Sequence, residues 1–301
     1  MKKVLTVILA VVALLACNNE HTPNGVQYPI VFGTSDTRAV ADLSTLQDEG
    51  FTVYTYFTGF PNDPQGRYGT FEKDVTYNSN QNLWAYEGLE YWIPGVSYWF
   101  TAFYPSDLSG LVVNNTSKDQ IYSISGFDIT SQQDVMVAKK ATSVAAGATA
   151  PTEGSIVSLN FQHLLANVTI KIKSQIEGVI VKNITLSNIY DNASYNGTVW
   201  ERPSNTTSVT YQSGVTLTKN EDYKDVTGGG IIVIPGDNEG RNLRIEANKV
   251  YNITIPPCTW EQGNRYTYTL LIKQDDIIFE DAAPYVEDWD SESATGSVII
   301  K

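Results

Sequence analysis

An all-β fold, arranged as two β-sandwiches in tandem, is what the sequence predicts, and three observations carry it. Runs of β-branched and aromatic residues alternate with a period of two, turn residues punctuate them, and helical periodicity is scarce. Short strands of this kind bury one face each, which calls for a second sheet opposite. A chain of 301 residues is better housed in two such units than in one.

The elements follow in chain order. Lys2 and Lys3 form a positive start, and Val4 to Ala16 is apolar apart from Thr6. That run is shorter than the roughly 20 residues a bilayer-spanning helix needs, so it reads as the hydrophobic region of a secretory signal. Leu14-Leu15-Ala16-Cys17 has the form of a bacterial lipobox, with Cys17 as the acylated residue and residues 1–17 as the signal peptide. Several acyl chains on one cysteine anchor a protein stably, at about 0.8 kcal/mol per buried methylene. Asn18 to Gly25 is a polar tether without periodicity.

Strand patterns dominate thereafter. Phe51 to Phe57 switches between large and small side chains with period two, and Tyr98 to Tyr104 is an aromatic run that stops at Pro105. Asn167 to Lys173 and Tyr266 to Lys273 alternate along their length. Val179 to Leu186, Gly230 to Ile234 and Lys249 to Ile255 are further strands. Turns fall at Pro61-Asn62-Asp63-Pro64, Pro94-Gly95, Tyr195-Asn196-Gly197 and Pro235-Gly236-Asp237-Asn238. Short helical turns are expected at Val40 to Gln47 and Phe161 to Ala166. Ala141 to Gly154 is rich in small residues and reads as a linker or long exposed loop.

Composition bounds the function. A net charge of −13 excludes a nucleic-acid partner, which needs a basic footprint. If Cys17 carries lipid, Cys258 stands alone, no disulfide framework exists, and stability rests on core packing. Cys258 itself reads as a structural thiol. Catalytic constellations are scarce, so no enzyme, cofactor or metal is expected. His21 lies in the tether, and His163, at a strand end, reads as structural. The carboxylates Asp275-Asp276, Glu280-Asp281 and Glu287-Asp288 do not make a catalytic pair, because adjacent strand residues face opposite ways. Asp288-x-Asp290-x-Glu292 lacks the glycine and final ligand of a calcium loop and reads as a solvated acidic turn. Trp84-Ala85-Tyr86 and Tyr91-Trp92 are read as core rather than as a sugar-stacking platform, and exposure of Trp84, Trp92 and Trp99 discriminates the two.

A set of pieces in order resembles the fimbrillin-like proteins of Bacteroides-type bacteria, which build type V pili. They are the lipobox ending at Cys17, Ile30-Val31-Phe32, Thr37-Arg38-Ala39, Gln133 to Ala138, and Leu159 to Ala166 running into Val168 to Ile172. Ile184 to Tyr190, Tyr266 to Leu270 and Val286 to Trp289 complete the set. The resemblance implies two tandem transthyretin-like β-sandwich domains. It divides the chain into signal (1–17), tether with a removable first strand (18–38), N-terminal sandwich (39–150) and C-terminal sandwich with a donor strand (151–301). It further implies a lipoprotein delivered to the outer membrane and cell surface, and cut by an arginine-specific protease between Arg38 and Ala39. Ile30, Val31 and Phe32 would lie in the strand released. Val298, Ile299 and Ile300 would be the donor strand that fills a neighbouring subunit's groove. Partners would be other fimbrial subunits and a surface receptor or glycan. The rival reading is an outer-membrane glycan-binding surface lipoprotein.

Overall fold

The computed structural model describes residues 27–34, 40–81, 83–151, 155–202 and 205–289. The all-β expectation holds. One α-helix, a single 3-10 turn and strands make up the described secondary structure.

The chain opens with β1 (Val31–Thr34) and α1 (Val40–Glu49). The helix stops where Gly50 takes a φ of 77°, and the Gly50 N–H donates to Leu46 O at 2.8 Å. A Cβ on Gly50 would stand 2.6 Å from Val75 O, so both the left-handed cap and the close approach demand glycine. Then come β2 (Phe51–Thr58), β3 (Tyr68–Asn78), β4 (Leu83–Ala85), β5 (Ser97–Tyr104), β6 (Leu111–Asn114), β7 (Ile121–Phe127), β8 (Met136–Ser143), β9 (Ile156–Leu159) and β10 (Gln162–His163). Strands β10-β8-β5-β2-β3-β4 form one antiparallel sheet. Its inner face presents Phe51, Val53, Val75, Tyr98, Phe100 and Ala102 to a buried cluster that also holds Ile30, Phe32, Val157 and Leu159.

The rest of the chain supplies β11 (Ala166–Ser174), β12 (Val179–Tyr190), β13 (Ala193–Tyr195), β14 (Trp200–Glu201), β15 (Thr206–Leu217), β16 (Lys224–Asp225), β17 (Ile231–Val233) and β18 (Gly236–Asp237). After these come β19 (Asn242–Glu246), β20 (Val250–Thr254), β21 (Thr259–Trp260), β22 (Asn264–Ile272), β23 (Ile277–Phe279) and β24 (Tyr285–Asp288). Strands β16-β11-β22-β23 form one sheet, with β11 and β22 parallel, and β15-β12-β19-β20 form another. A second buried cluster includes Val168, Ile170, Ile172, Tyr266 and Tyr268 from the first of these sheets. The second sheet gives it Val181, Ile184, Leu186, Leu243 and Ile245. The hairpin β6-β7 pairs with β13, and its Tyr122, Ile124 and Phe127 join this second cluster.

Two expectations fail locally. Phe161 to Ala166 is not helical: β10 pairs His163 with Met136, and the chain then enters β11. A helix hides one stripe, whereas Phe161 is buried in the first cluster and Leu164, Leu165 and Ala166 in the second. An extended segment handing side chains to two cores satisfies all of them. The small-residue run is no exposed loop at its start either. Ala141 to Ser143 end β8, and the Val144 N–H donates to Val96 O at 2.9 Å.

Candidate functional site: the segment Tyr28–Thr34 and its groove

The most informative site is a short length of backbone. The Ile30 N–H donates to Glu90 O at 2.8 Å, and the Trp92 N–H donates to Tyr28 O at 3.0 Å. Pro29 forms an antiparallel bridge with Tyr91, at a position where a missing N–H costs no hydrogen bond. One step on, β1 pairs in parallel with β9, from Val31↔Ile156 to Thr34↔Leu159. The Tyr86 hydroxyl donates to Ile30 O at 2.7 Å. Among the described residues, β1 is the only ladder partner of β9.

Side chains follow the alternation. Ile30 and Phe32 are 1% and 2% exposed, and Val31, on the other face, is half-buried. The Phe32 ring meets Phe100 edge-on at 5.7 Å and Tyr86 at 5.5 Å. Burial pushes the Tyr86 and Tyr98 hydroxyls up to about 12, so both remain neutral donors at ordinary pH. The Tyr98 hydroxyl in turn accepts from Ile93 N at 2.9 Å, which steadies the loop that grips Tyr28 and Ile30. The segment is thus a strand-shaped plug. It is held by backbone bonds on two flanks and by two side chains in a core that the rest of the chain builds around them.

Of the sequence-predicted site residues, Ile30, Val31 and Phe32 are brought together in this plug. Cys17, Arg38, Ala39, Val298, Ile299 and Ile300 lie outside the described residues. Sequence reasoning missed Tyr86 and Phe100 as the walls of the Phe32 pocket. Their aromatic character was visible, but the pairing of distant strands that makes them neighbours was not.

The remaining candidates occupy structural positions. Trp84 and Trp92 are 8% and 4% exposed, Trp84 against Phe51 and Tyr77, Trp92 against Tyr98 and Phe100. Trp99 is half-buried. His163 is buried, with Nδ1 2.5 Å from Asp134 Oδ2 and its ring stacked on Trp289 at 3.9 Å. The Cys258 thiol, raised by burial, sits 3.3 Å from the Tyr268 hydroxyl and accepts from Asn238 Nδ2 at 3.4 Å. A raised thiol is a poor nucleophile. Glu280 pairs with Lys173 at 2.8 Å, and Asp281 accepts from the Thr269 hydroxyl at 2.9 Å. Among the described residues no three metal-ligating side chains gather into a site.

Known structures share the fold. A fimbrial protein from Bacteroides vulgatus aligns with a TM-score of 0.59 at 17% identity, over 88% of this chain and 100% of that one. A candidate cell adhesion protein from Bacteroides uniformis gives 0.51 at 19% identity, over 90% and 100%. Another, from Bacteroides ovatus, gives 0.58 at 14% identity, over 88% and 99%. No curated protein matches the chain. The family model described as fimbrillin-like matches residues 37–289, well over half of the sequence, and the chain therefore belongs to the fimbrillin-like family.

Proposed function

We propose that this chain is a fimbrial subunit that is exported as a lipoprotein on Cys17 and assembled at the outer membrane and cell surface by strand exchange. The observation that carries the reading is the plug. Ile30 and Phe32 complete a core, yet their backbone is bonded to the separate β9, to the loop at Glu90–Trp92 and to the Tyr86 hydroxyl. Cleavage between Arg38 and Ala39 by an arginine-specific protease would leave the plug held by non-covalent bonds alone. Its loss would expose apolar core and strip β9 of its ladder. An incoming strand restores both, with backbone bonds for affinity and alternate side chains for fit. Val298, Ile299 and Ile300 of a neighbouring subunit are the proposed donor.

The two buried clusters are read as the cores of two tandem transthyretin-like sandwiches, residues 39–150 and 151–301. In this division β9 begins the second unit while Val157 and Leu159 pack into the first core. The role is structural and adhesive, not enzymatic, and the partners are other fimbrial subunits and a surface receptor. The rival glycan-uptake reading would place a sugar platform at Trp84-Ala85-Tyr86 and Tyr91-Trp92, and the burial of Trp84 and Trp92 counts against that platform.

The test compares wild type with Arg38→Gln and with a chain lacking Val298 to Lys301. Each is treated with an arginine-specific protease and run on size-exclusion chromatography, with the cut sites mapped by mass spectrometry. Wild type should lose residues 28–34 and form polymers, the truncated chain should lose them and stay monomeric, and Arg38→Gln should do neither. Polymers from Arg38→Gln would place the cut elsewhere, and polymers from the truncated chain would place the donor elsewhere.

A further inference from the structure

The first sheet has an outer face that is only half covered. The loop 115–120, between β6 and β7, lies over it at Tyr54 and Thr101. Asn115 Nδ2 donates to Thr55 O at 2.7 Å, Gln120 Nε2 to Tyr54 O at 2.9 Å, and the Thr101 hydroxyl to Gln120 Oε1 at 2.9 Å. Beyond this loop three rings continue the face on three adjacent strands. Tyr56 on β2 lies opposite Trp99 on β5, with centroids 5.8 Å apart. Tyr68 on β3 is 5.3 Å from Tyr56 on the other side and is 49% exposed. None of the three belongs to either buried cluster. We propose that Tyr56, Tyr68 and Trp99 form a binding platform for a neutral glycan, on which the C–H faces of pyranose rings stack. This is a recognition role beyond subunit assembly.

Five observations favour that occupant. The rings are fixed on paired strands, so stacking costs little conformational entropy. Hydroxyls interleave with them on the same face: Thr58 lies opposite both Tyr68 and Ser97, Thr70 opposite Tyr56, and Ser143 opposite Ser97. Such groups suit sugar hydroxyls, whereas the centre of a protein interface is apolar. Asn115 pins the neighbouring loop as a polar wall beside Tyr56, since its Oδ1 accepts from Gln120 at 2.7 Å while its Nδ2 holds Thr55. Three side chains also offer far less than the roughly 800 Å² per partner that a stable protein interface buries. The net charge of −13 disfavours acidic polysaccharides and leaves neutral ones.

The test is isothermal titration calorimetry on the full mature chain with Cys17→Ser, using cellohexaose and xylohexaose as probes. Wild type should bind at least one of them. Trp99→Ala and Tyr68→Ala should each weaken that binding by about tenfold, and Trp99→Phe should retain most of it. Thermal unfolding checks each variant, and the half-exposed Tyr68 keeps the test open should Trp99→Ala fail to fold. No binding heat from either sugar at millimolar concentration would overturn the proposal. So would undiminished binding in Tyr68→Ala. A concentration-dependent wild-type dimer that Tyr68→Ala dissolves would assign the face to a second copy of this chain and overturn it equally.

Discussion

Replacing Phe32 by alanine in the uncut chain empties the deepest position of the plug. Phe32 is 2% exposed, and its ring is walled by Phe100 and Tyr86. Those walls have little freedom to collapse inward. Phe100 is a fully buried residue of β5, and the Tyr86 hydroxyl is tied to Ile30 O. A buried phenylalanine truncated at such a site costs about 3–5 kcal/mol, transfer and cavity terms together. Whole domains are stable by only about 5–15 kcal/mol. With a urea slope of about 2 kcal/mol per molar, the unfolding midpoint should fall by about 2 M. Val31→Ala is the internal comparison. Its side chain is half-buried on the opposite face, so its cost should stay below about 1 kcal/mol. Equilibrium urea unfolding followed by tryptophan fluorescence measures both. A Phe32→Ala midpoint within experimental error of wild type would refute the plug. So would a Val31→Ala loss as large as that of Phe32→Ala.

Other consequences are equally open to measurement. Cys17→Ser should move the protein from the membrane fraction to the soluble fraction and abolish incorporation of labelled fatty acid. His163→Ala removes the ring between Asp134 and Trp289 and should cost about 2–3 kcal/mol in urea unfolding, while protease-triggered assembly of the folded variant persists. Alkaline pH should destabilise the fold. Burial, joined at Tyr54 by the Glu72 carboxylate, pushes Tyr54, Tyr86 and Tyr98 up to about 12, against 10 in the unfolded chain. Because the folded state prefers the neutral phenols, stability should be level below pH 10 and fall between pH 10 and 12. Urea midpoints across that range, with Tyr86→Phe showing a shallower fall, check it.

Much of this was legible in the sequence because strand alternation is a local signal. The runs at Phe51, Tyr98, Asn167, Val179 and Tyr266 are strands close to where the pattern put them. Alternation also puts Ile30 and Phe32 on one face and Val31 on the other, which is how the structure buries them. It does not say which strands become neighbours. The parallel pairing of β1 with β9 joins segments separated by most of the first sheet, and no local feature of Ile156–Leu159 announces it. Nor does it say which face is covered. In β2 both faces carry large residues, with Phe51, Val53 and Phe57 turned to the core and Tyr54 and Tyr56 to the outside. Tyr54 is covered by the β6-β7 region and Tyr56 is not, a difference set by where a distant hairpin lands. The misreading of Phe161 to Ala166 has the same origin. A short apolar run interrupted by Gln162 and His163 suits one helix or two cores equally, and only the tertiary arrangement decides.

The most direct test of the plug asks whether the segment can be replaced in trans. Wild-type chain is cut by an arginine-specific protease with and without excess synthetic peptide spanning Tyr28–Thr34, and its mass is followed by light scattering behind size-exclusion chromatography. The account predicts polymers without peptide and monomers with it, because the peptide reoccupies the Ile30 and Phe32 pockets before a neighbour's strand can. A chain that has lost residues 28–34 yet stays monomeric without peptide, or polymers that grow undisturbed in its presence, would contradict it.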